Sequence, residues 1–181
     1  MRKLDAIGRN LKPFSNYRES AANAAVSILL RVRESDIYLL IVKRAESPRD
    51  PWSGHFSLPG GKREAEDRDL LETAVRETIE ETGIDLKESI LLGAVEPERS
   101  KSNPSIMVLP FVFLLESEPE IKLNKRELER CVWVSLSELL NNEKAIEVGS
   151  ETQPAFIVGD IVIWGLTYRI LKKAFQNMKD S

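Results

Sequence analysis

The stretch LPGGKREAEDRDLLETAVRETIEETGIDL, from Leu58 to Leu86, decides how the rest of this 181-residue chain is read. A proline and two glycines form a turn, and a helical pattern follows from about Asp69 to Thr82. Asp69 is placed to cap that helix, with Glu72 three residues on, as in a capping box. Gly83 is a natural stop. At about 100° per residue, Leu71, Val75 and Ile79 mark one apolar arc, expected to dock on a sheet. Glu77, Glu80 and Glu81 fall on the opposite arc, spaced i, i+3 and i+4. Like charges at these spacings repel by roughly 0.2–0.5 kcal/mol per pair, so a helix selected for stability alone would avoid them.

Two readings explain the triplet. One is a solvated acidic face, which is what charge runs usually are. The other is a site for a hard divalent cation, since Mg²⁺ binds through a few carboxylates, water and substrate phosphates. The glycine turn can bring backbone carbonyls or amides to close approach, and Arg76 can orient a carboxylate through charge-assisted hydrogen bonds. The turn, cap, carboxylate triplet and terminating glycine in one stretch favour the cation site.

Around this stretch the composition is ordinary for a globular protein, 42% hydrophobic and 30% charged. One domain over residues 21–181, preceded by a loose helix or arm over 1–20, is expected at this length. The net charge of −3 and pI near 5.4 lack the basic footprint of a protein that grips long nucleic acid. Cys131 is the single cysteine, which fits a reducing compartment. With no export signal and no apolar run of about 20 residues, a cytoplasmic location off the membrane is expected.

Strands are expected at AAVSILLRV (24–32), IYLLIVKR (37–44), SILLGAVE (89–96), IMVLPFVFLL (106–115) and RCVWVSL (130–136). A short helix begins at SELL, PAFIVGDIVIW reads as a hairpin turning at Gly159-Asp160, and an amphipathic helix GLTYRILKKAFQNM follows. The element order implies a mixed α/β architecture, a sheet packed between helices. The loop AESPRDPWSGHFSLPGG is long and stiffened by proline, as functional loops often are. In it His55 either touches substrate or caps loop backbone, and Trp52 either stacks on a base or packs the loop down. Trp133 and Trp164 sit in apolar strand contexts and are read as core.

The 58–86 stretch resembles the Nudix box. RETIEETGI, Arg76 to Ile84, supplies its second half, with Thr78 where the pattern has an apolar residue. In the first half, five residues on from Gly61 stands Asp67 rather than glutamate, in a position to order the loop or pair with Arg76. The resemblance implies an α/β/α sandwich with a mixed sheet, and hydrolysis of a nucleoside diphosphate linked to another moiety. It also implies Mg²⁺ or Mn²⁺ held by Glu77, Glu80 and Glu81 with help from the Gly61 carbonyl. The catalytic set it implies is Glu77, Glu80 and Arg76; the base stays open, with Glu96, Glu98 and Glu116 as further candidates.

The longer spacing before Arg76 is similar to the coenzyme A diphosphohydrolase branch. So are Leu40, Arg44, Ala45, Arg49, Gly54 and Pro59-Gly60-Gly61 upstream, and WGLT near the C-terminus. Val42, Leu58 and one extra residue between Arg49 and Gly54 depart from that branch. The substrate it implies is coenzyme A or a related species, with Arg44, Arg49, His55 and Gly60 as contacts; the arginines would alternatively pair with Glu46 and Asp50. ADP-ribose, NADH or nucleoside triphosphate hydrolysis, or a nucleotide sensor without catalysis, are the alternatives. Family resemblance also allows a homodimer.

Overall fold

The computed structural model describes residues 7–18, 20–47 and 53–176. Strand β1 (Ala24–Arg33) organises them. Its side chains alternate between two cores, Ala25 and Leu29 on one face, Ala24, Ile28 and Leu30 on the other, as the period of two requires. Along one edge β1 runs parallel to β7 (Met107–Leu114), from Ala24 opposite Val108 to Leu30 opposite Leu114. Its other edge is shared. Leu30 to Arg33 pair with β2 (Asp36–Arg44), whereas Ala24 to Val26 pair with β4 (Gly60–Lys62). At the handover the Ser27 amide donates to the Pro59 carbonyl at 2.8 Å. The Pro-Gly-Gly turn is thereby placed against the middle of the sheet.

The main sheet is completed by β3 (Phe56–Ser57), β5 (Ile90–Ala94), β6 (Glu98–Arg99) and β8 (Leu128–Ser135). The order is β3-β2-β1-β7-β5, with β8 also on β2 and β6 also on β7. The β1–β7 pair is parallel and the others are antiparallel, so the sheet is mixed. In β2, Leu39, Leu40, Ile41 and Val42 are all fully buried, the signature of a strand covered on both faces.

Helix α1 (Leu70–Thr82) covers the Ala25/Leu29 face, against Leu109, Phe111 and Phe113. The other face is covered by α2 (Leu136–Asn141), α3 (Gly165–Phe175) and an antiparallel three-stranded sheet of β9 (Glu143–Val148), β10 (Glu151–Val158) and β11 (Ile161–Trp164). The result is the expected α/β/α sandwich, with a second small sheet in one outer layer. Strand β9 was not expected. Its sequence, EKAIEV, alternates half-buried and exposed positions and contains no apolar run to mark it. Of the expected N-terminal arm, residues 1–6 lie outside the described residues. Its described part is anchored at Ile7, which is fully buried, at Leu11, which is 8% exposed, and at Lys12, which exchanges backbone hydrogen bonds of 2.9 and 2.8 Å with Ala94.

Helix α1 departs from its expected orientation. Asp69 Oδ1 does accept the Glu72 amide at 3.0 Å, and Gly83, at φ 73°, closes the helix by donating to the Ile79 carbonyl. The reciprocal half of the capping box is displaced by one residue, since Glu72 Oε2 accepts from the Arg68 amide at 2.6 Å. The expected apolar arc is not the docked face. Leu71 and Val75 are half-buried and Ile79 is 41% exposed, while Leu70, Thr73, Ala74, Thr78, Glu81 and Thr82 are buried. Three threonines occupy that face because each hydroxyl finds an internal acceptor: Asp67 Oδ2 for Thr73, the Ala74 carbonyl for Thr78, and the Thr78 carbonyl for Thr82. Buried hydroxyls are tolerated when bonded, so the packing face of this helix reads as polar in sequence. Glu81 therefore shares the buried face and does not sit on an open acidic arc.

Asp69→Ala removes the α1 cap and is expected to lower stability by about 1 kcal/mol. A urea titration with unchanged slope would show this as a lower midpoint.

Candidate functional site

A cavity of about 940 Å³ opens beside the β1 handover. Its wall is formed by Ala24–Val26 of β1, the Gly60-Gly61 turn, Glu77 and Glu81 of α1, and from the opposite layer Trp164 to Thr167. Space dictates Gly60, and the Glu77 side chain crowds Gly61. Gly60 has φ 154°, and a Cβ there would lie 2.3 Å from the Ala25 carbonyl oxygen and 2.6 Å from Val26 Cα. A Cβ on Gly61 would lie 2.3 Å from Glu77 Oε1. The carboxylate of Glu77 thus occupies the volume that any other residue at 61 would fill.

Glu81 is 3% exposed, and its Oε2 accepts the Gly60 amide at 3.0 Å. Burial pushes its pKa up to about 8, against the Gly60 hydrogen bond and the Arg44 charge; the charges of Glu77 and Glu127 push the same way as burial. The Glu77 pKa is also raised, first by burial, with Arg76 opposing. Arg76 serves several acids at once. It grips Asp67 through Nε and Nη2 at 2.9 and 3.0 Å, while its Nη1 donates to Glu77 Oε1 at 3.0 Å and to Glu80 Oε2 at 3.1 Å. The Arg76 hydrogen bonds hold the Asp67 carboxyl far below the usual carboxylate range. Asp67 also accepts the Glu64 amide at 2.9 Å, so it both orders the loop and fixes the arginine.

The structure brings together Glu77, Glu81, Gly60, Gly61, Arg44 and His55 on the cavity wall. Glu80 stands apart, its side chain 53% exposed and paired to Arg76, and Arg76 lies behind the wall. Arg49 and Trp52 lie outside the described residues. The expected alternative bases do not reach the cavity. Glu98 is bound by Arg169 at 2.8 Å and Lys173 at 2.5 Å, and Glu96 and Glu116 are exposed elsewhere. Trp164, expected in the core, is half-buried and lines the cavity, edge-on to His55 with ring centres 5.0 Å apart.

Glu127 and Glu151 line the cavity although sequence reasoning singled out neither, and Glu127 is the one that faces the two helix glutamates. Glu127 acts electrostatically on both Glu77 and Glu81. No spacing from the helix marks it. It arrives there because the Asn124 amide donates to the Glu81 carbonyl at 2.9 Å and the Asn124 side chain donates to Glu127 Oε1 at 2.7 Å. Lys62 and Lys101 also line the cavity unannounced by any motif.

Among the described residues, no three acidic, histidine or cysteine side chains are gathered closely enough to hold a metal ion as they stand. Arg76 takes one oxygen each of Glu77 and Glu80, and Glu81 is turned to Gly60. The donor chemistry nevertheless fits a hard dication. Two desolvated carboxylates and a glycine turn form an oxygen-only set, and burial biases both acids toward protonation, a bias that a bound dication would offset.

A NUDIX domain family model matches residues 22–153. Mouse mitochondrial coenzyme A diphosphatase NUDT8 is 30% identical over 161 residues, 84% of this chain and 76% of the mouse protein. An uncharacterized Schizosaccharomyces pombe protein is 33% identical over 153 residues, 76% of this chain, which spans only 46% of that protein. Among solved structures, the Methanosarcina mazei MutT protein aligns with TM-score 0.56 at 23% identity, covering 87% of this chain and 94% of that one. The NUDIX domain of Shewanella oneidensis NrtR, solved with ADP ribose, aligns with TM-score 0.56 at 15% identity over 91% of this chain and 96% of that one. These two likenesses concern the fold.

An acid whose folded pKa is raised holds a proton that the unfolded chain has already lost, so stability falls as pH rises between the two values. For Glu81 that window runs from about 4.5 to about 8. In chelator, Glu81→Gln is expected to be more stable than wild type at pH 8, with the gap closing toward pH 5. Thermal melts of both proteins across this range check it; a gap that does not change with pH contradicts the burial argument.

Proposed function

The chain belongs to the Nudix family, and on that premise we propose that it hydrolyses the pyrophosphate link of coenzyme A or a related CoA species, using Mg²⁺ or Mn²⁺. The observation that carries the reaction class is a pair of carboxylates, Glu81 buried and Glu77 half-buried, pressed against a glycine turn at the wall of a nucleotide-sized cavity. A helix gains nothing from desolvating two acids unless a cation completes them.

Glu77, Glu81 and the Gly61 carbonyl would hold the metal, with Glu80 joining them from its place on Arg76. A divalent ion supplies charge neutralisation of the diphosphate and a more acidic attacking water. The chain's own groups do the rest. Arg44 and Lys62 offer cations on the cavity wall to phosphate oxygens. Asp67 holds Arg76, and Arg76 in turn keeps Glu77 and Glu80 from rotating freely. Glu127 faces the same space without contacting Arg76 and is a candidate, beside Glu77 and Glu80, to take the proton as water attacks phosphorus. The bridging P–O bond breaks, and the diphosphate ends as two phosphomonoesters.

Two observations support coenzyme A over other diphosphates. The mouse relative is named a coenzyme A diphosphatase, and some of the residues similar to that branch line the cavity: Arg44, Gly60, Gly61, and the Trp164-Gly165-Leu166-Thr167 opening of α3. Gly165 has φ 64°, a conformation glycine adopts without strain.

The test is a panel of CoA, NADH, ADP-ribose, sugar nucleotides and nucleoside triphosphates, with and without Mg²⁺ or Mn²⁺, products identified by mass. CoA is expected to be cleaved within its diphosphate only with metal. No turnover of any compound by folded protein sinks the reaction class; ADP-ribose or NADH cleaved with CoA spared sinks only the substrate. Glu77→Gln and Glu81→Gln are each expected to lose more than the roughly 10–100-fold typical of changes one shell further out. Glu127→Gln distinguishes the base, since removal of the base abolishes the acid limb of the pH–rate profile.

A further inference from the structure

The box position usually held by an apolar residue is here Thr78, and its surroundings give it a task. Thr78 and Ser27 are both fully buried. Thr78 Oγ1 lies 2.8 Å from Ser27 Oγ and 2.7 Å from the Ala74 carbonyl, and Ser27 Oγ lies 3.2 Å from that same carbonyl. Two hydroxyl protons serve this triangle, and each hydroxyl retains an acceptor if the other is removed. The backbone of Ser27 faces the other way: its amide donates to Pro59 at 2.8 Å. One residue on, the Gly60 amide donates to Glu81, a single turn of α1 after Thr78. The contacts close a circuit from α1 through Ser27 to the Pro59-Gly60 turn, and through Glu81 back to α1.

We infer that Ser27 and Thr78 are positioning residues, a buried hydroxyl pair that sets the rotation and height of α1 so that Glu77 and Glu81 meet the Gly60-Gly61 turn. This rests on the reading of those two glutamates as metal ligands. Apolar packing at this contact would be non-directional and would let the helix slide or turn by fractions of an ångström. A hydrogen bond is strongly angle-dependent, and ligand groups must be held to about 0.5 Å. Thr82 provides an internal contrast. It is equally buried in α1, but its hydroxyl bonds only within the helix and its end, to the Thr78 carbonyl at 2.6 Å and from the Ile84 amide at 3.3 Å.

The variants are Ser27→Ala, Thr78→Val, Thr78→Ser and, as control, Thr82→Val, each confirmed folded by circular dichroism and melting. Three readouts apply: Mn²⁺ binding by calorimetry, hydrogen exchange of the Gly60 amide without metal, and the split between kcat and KM. Ser27→Ala is expected to weaken Mn²⁺ binding roughly 10–100-fold, speed Gly60 exchange and lower kcat with KM little changed. Thr78→Val loses less, because Ser27 keeps its bond to Ala74, and Thr78→Ser restores wild-type behaviour. Adding Thr78→Val to Ser27→Ala should change little further. Thr82→Val is expected to melt lower while leaving Mn²⁺ binding and Gly60 exchange intact. If Ser27→Ala leaves both unchanged, or Thr82→Val perturbs them as much, the positioning role is wrong. Should wild type bind no Mn²⁺, the metal reading fails on its own, while Gly60 exchange still reports whether the circuit holds the turn.

Discussion

The carboxylate of Glu81, buried against the Gly60 amide, is the constraint to which much of this structure answers. Removing an acid from water is costly unless it is paired or neutralised, and one backbone hydrogen bond does not compensate it. The surrounding residues allow the burial without curing it. Gly60 must lack a side chain to lie on β1, and Gly61 leaves the space that the Glu77 carboxylate now occupies. Arg76 is already committed to Asp67, Glu77 and Glu80. Burial therefore biases Glu81 toward its protonated form, which a bound dication would reverse, the usual conflict between stability and a poised site.

The sheet makes that place available. Because β2 pairs only with Leu30 to Arg33 at the end of β1, the first half of β1 has a free edge, and the glycine turn takes it. A fully paired β1 would leave no room for a turn or a cavity beside it. The same handover lets β1 face α1 on one side and the α3 and three-stranded layer on the other. The cavity thus draws Glu77 and Glu81 from one layer and Trp164 to Thr167 from the opposite one.

Arg76 and Asp67 act as one unit within this arrangement. The bidentate grip presents a fixed, planar cation, and that cation reaches the two glutamates on the outer turn of the helix. Glu81 lies beyond it, nearer Arg44. The three box glutamates are therefore unlike in environment, one buried and amide-bound, one half-buried against a glycine, one exposed on the arginine.

The local features were legible in the sequence because they depend on neighbours in the chain. The Asp69 cap, the Gly83 stop, the Gly159-Asp160 hairpin and the both-faces-apolar β2 are set by spacings of a few residues, which propensity and periodicity report directly. The Gly-Gly turn and the glutamate spacing likewise pointed to a site before any packing was known. The rotation of α1 was not legible, since Thr73, Thr78 and Thr82 can be buried only where specific acceptors await them, and those acceptors include Asp67 and Ser27 on other segments. Glu127 and the exposure of Trp164 to the cavity were equally hidden. Each depends on segments far apart in the chain being brought together, and no local pattern encodes the distance between them.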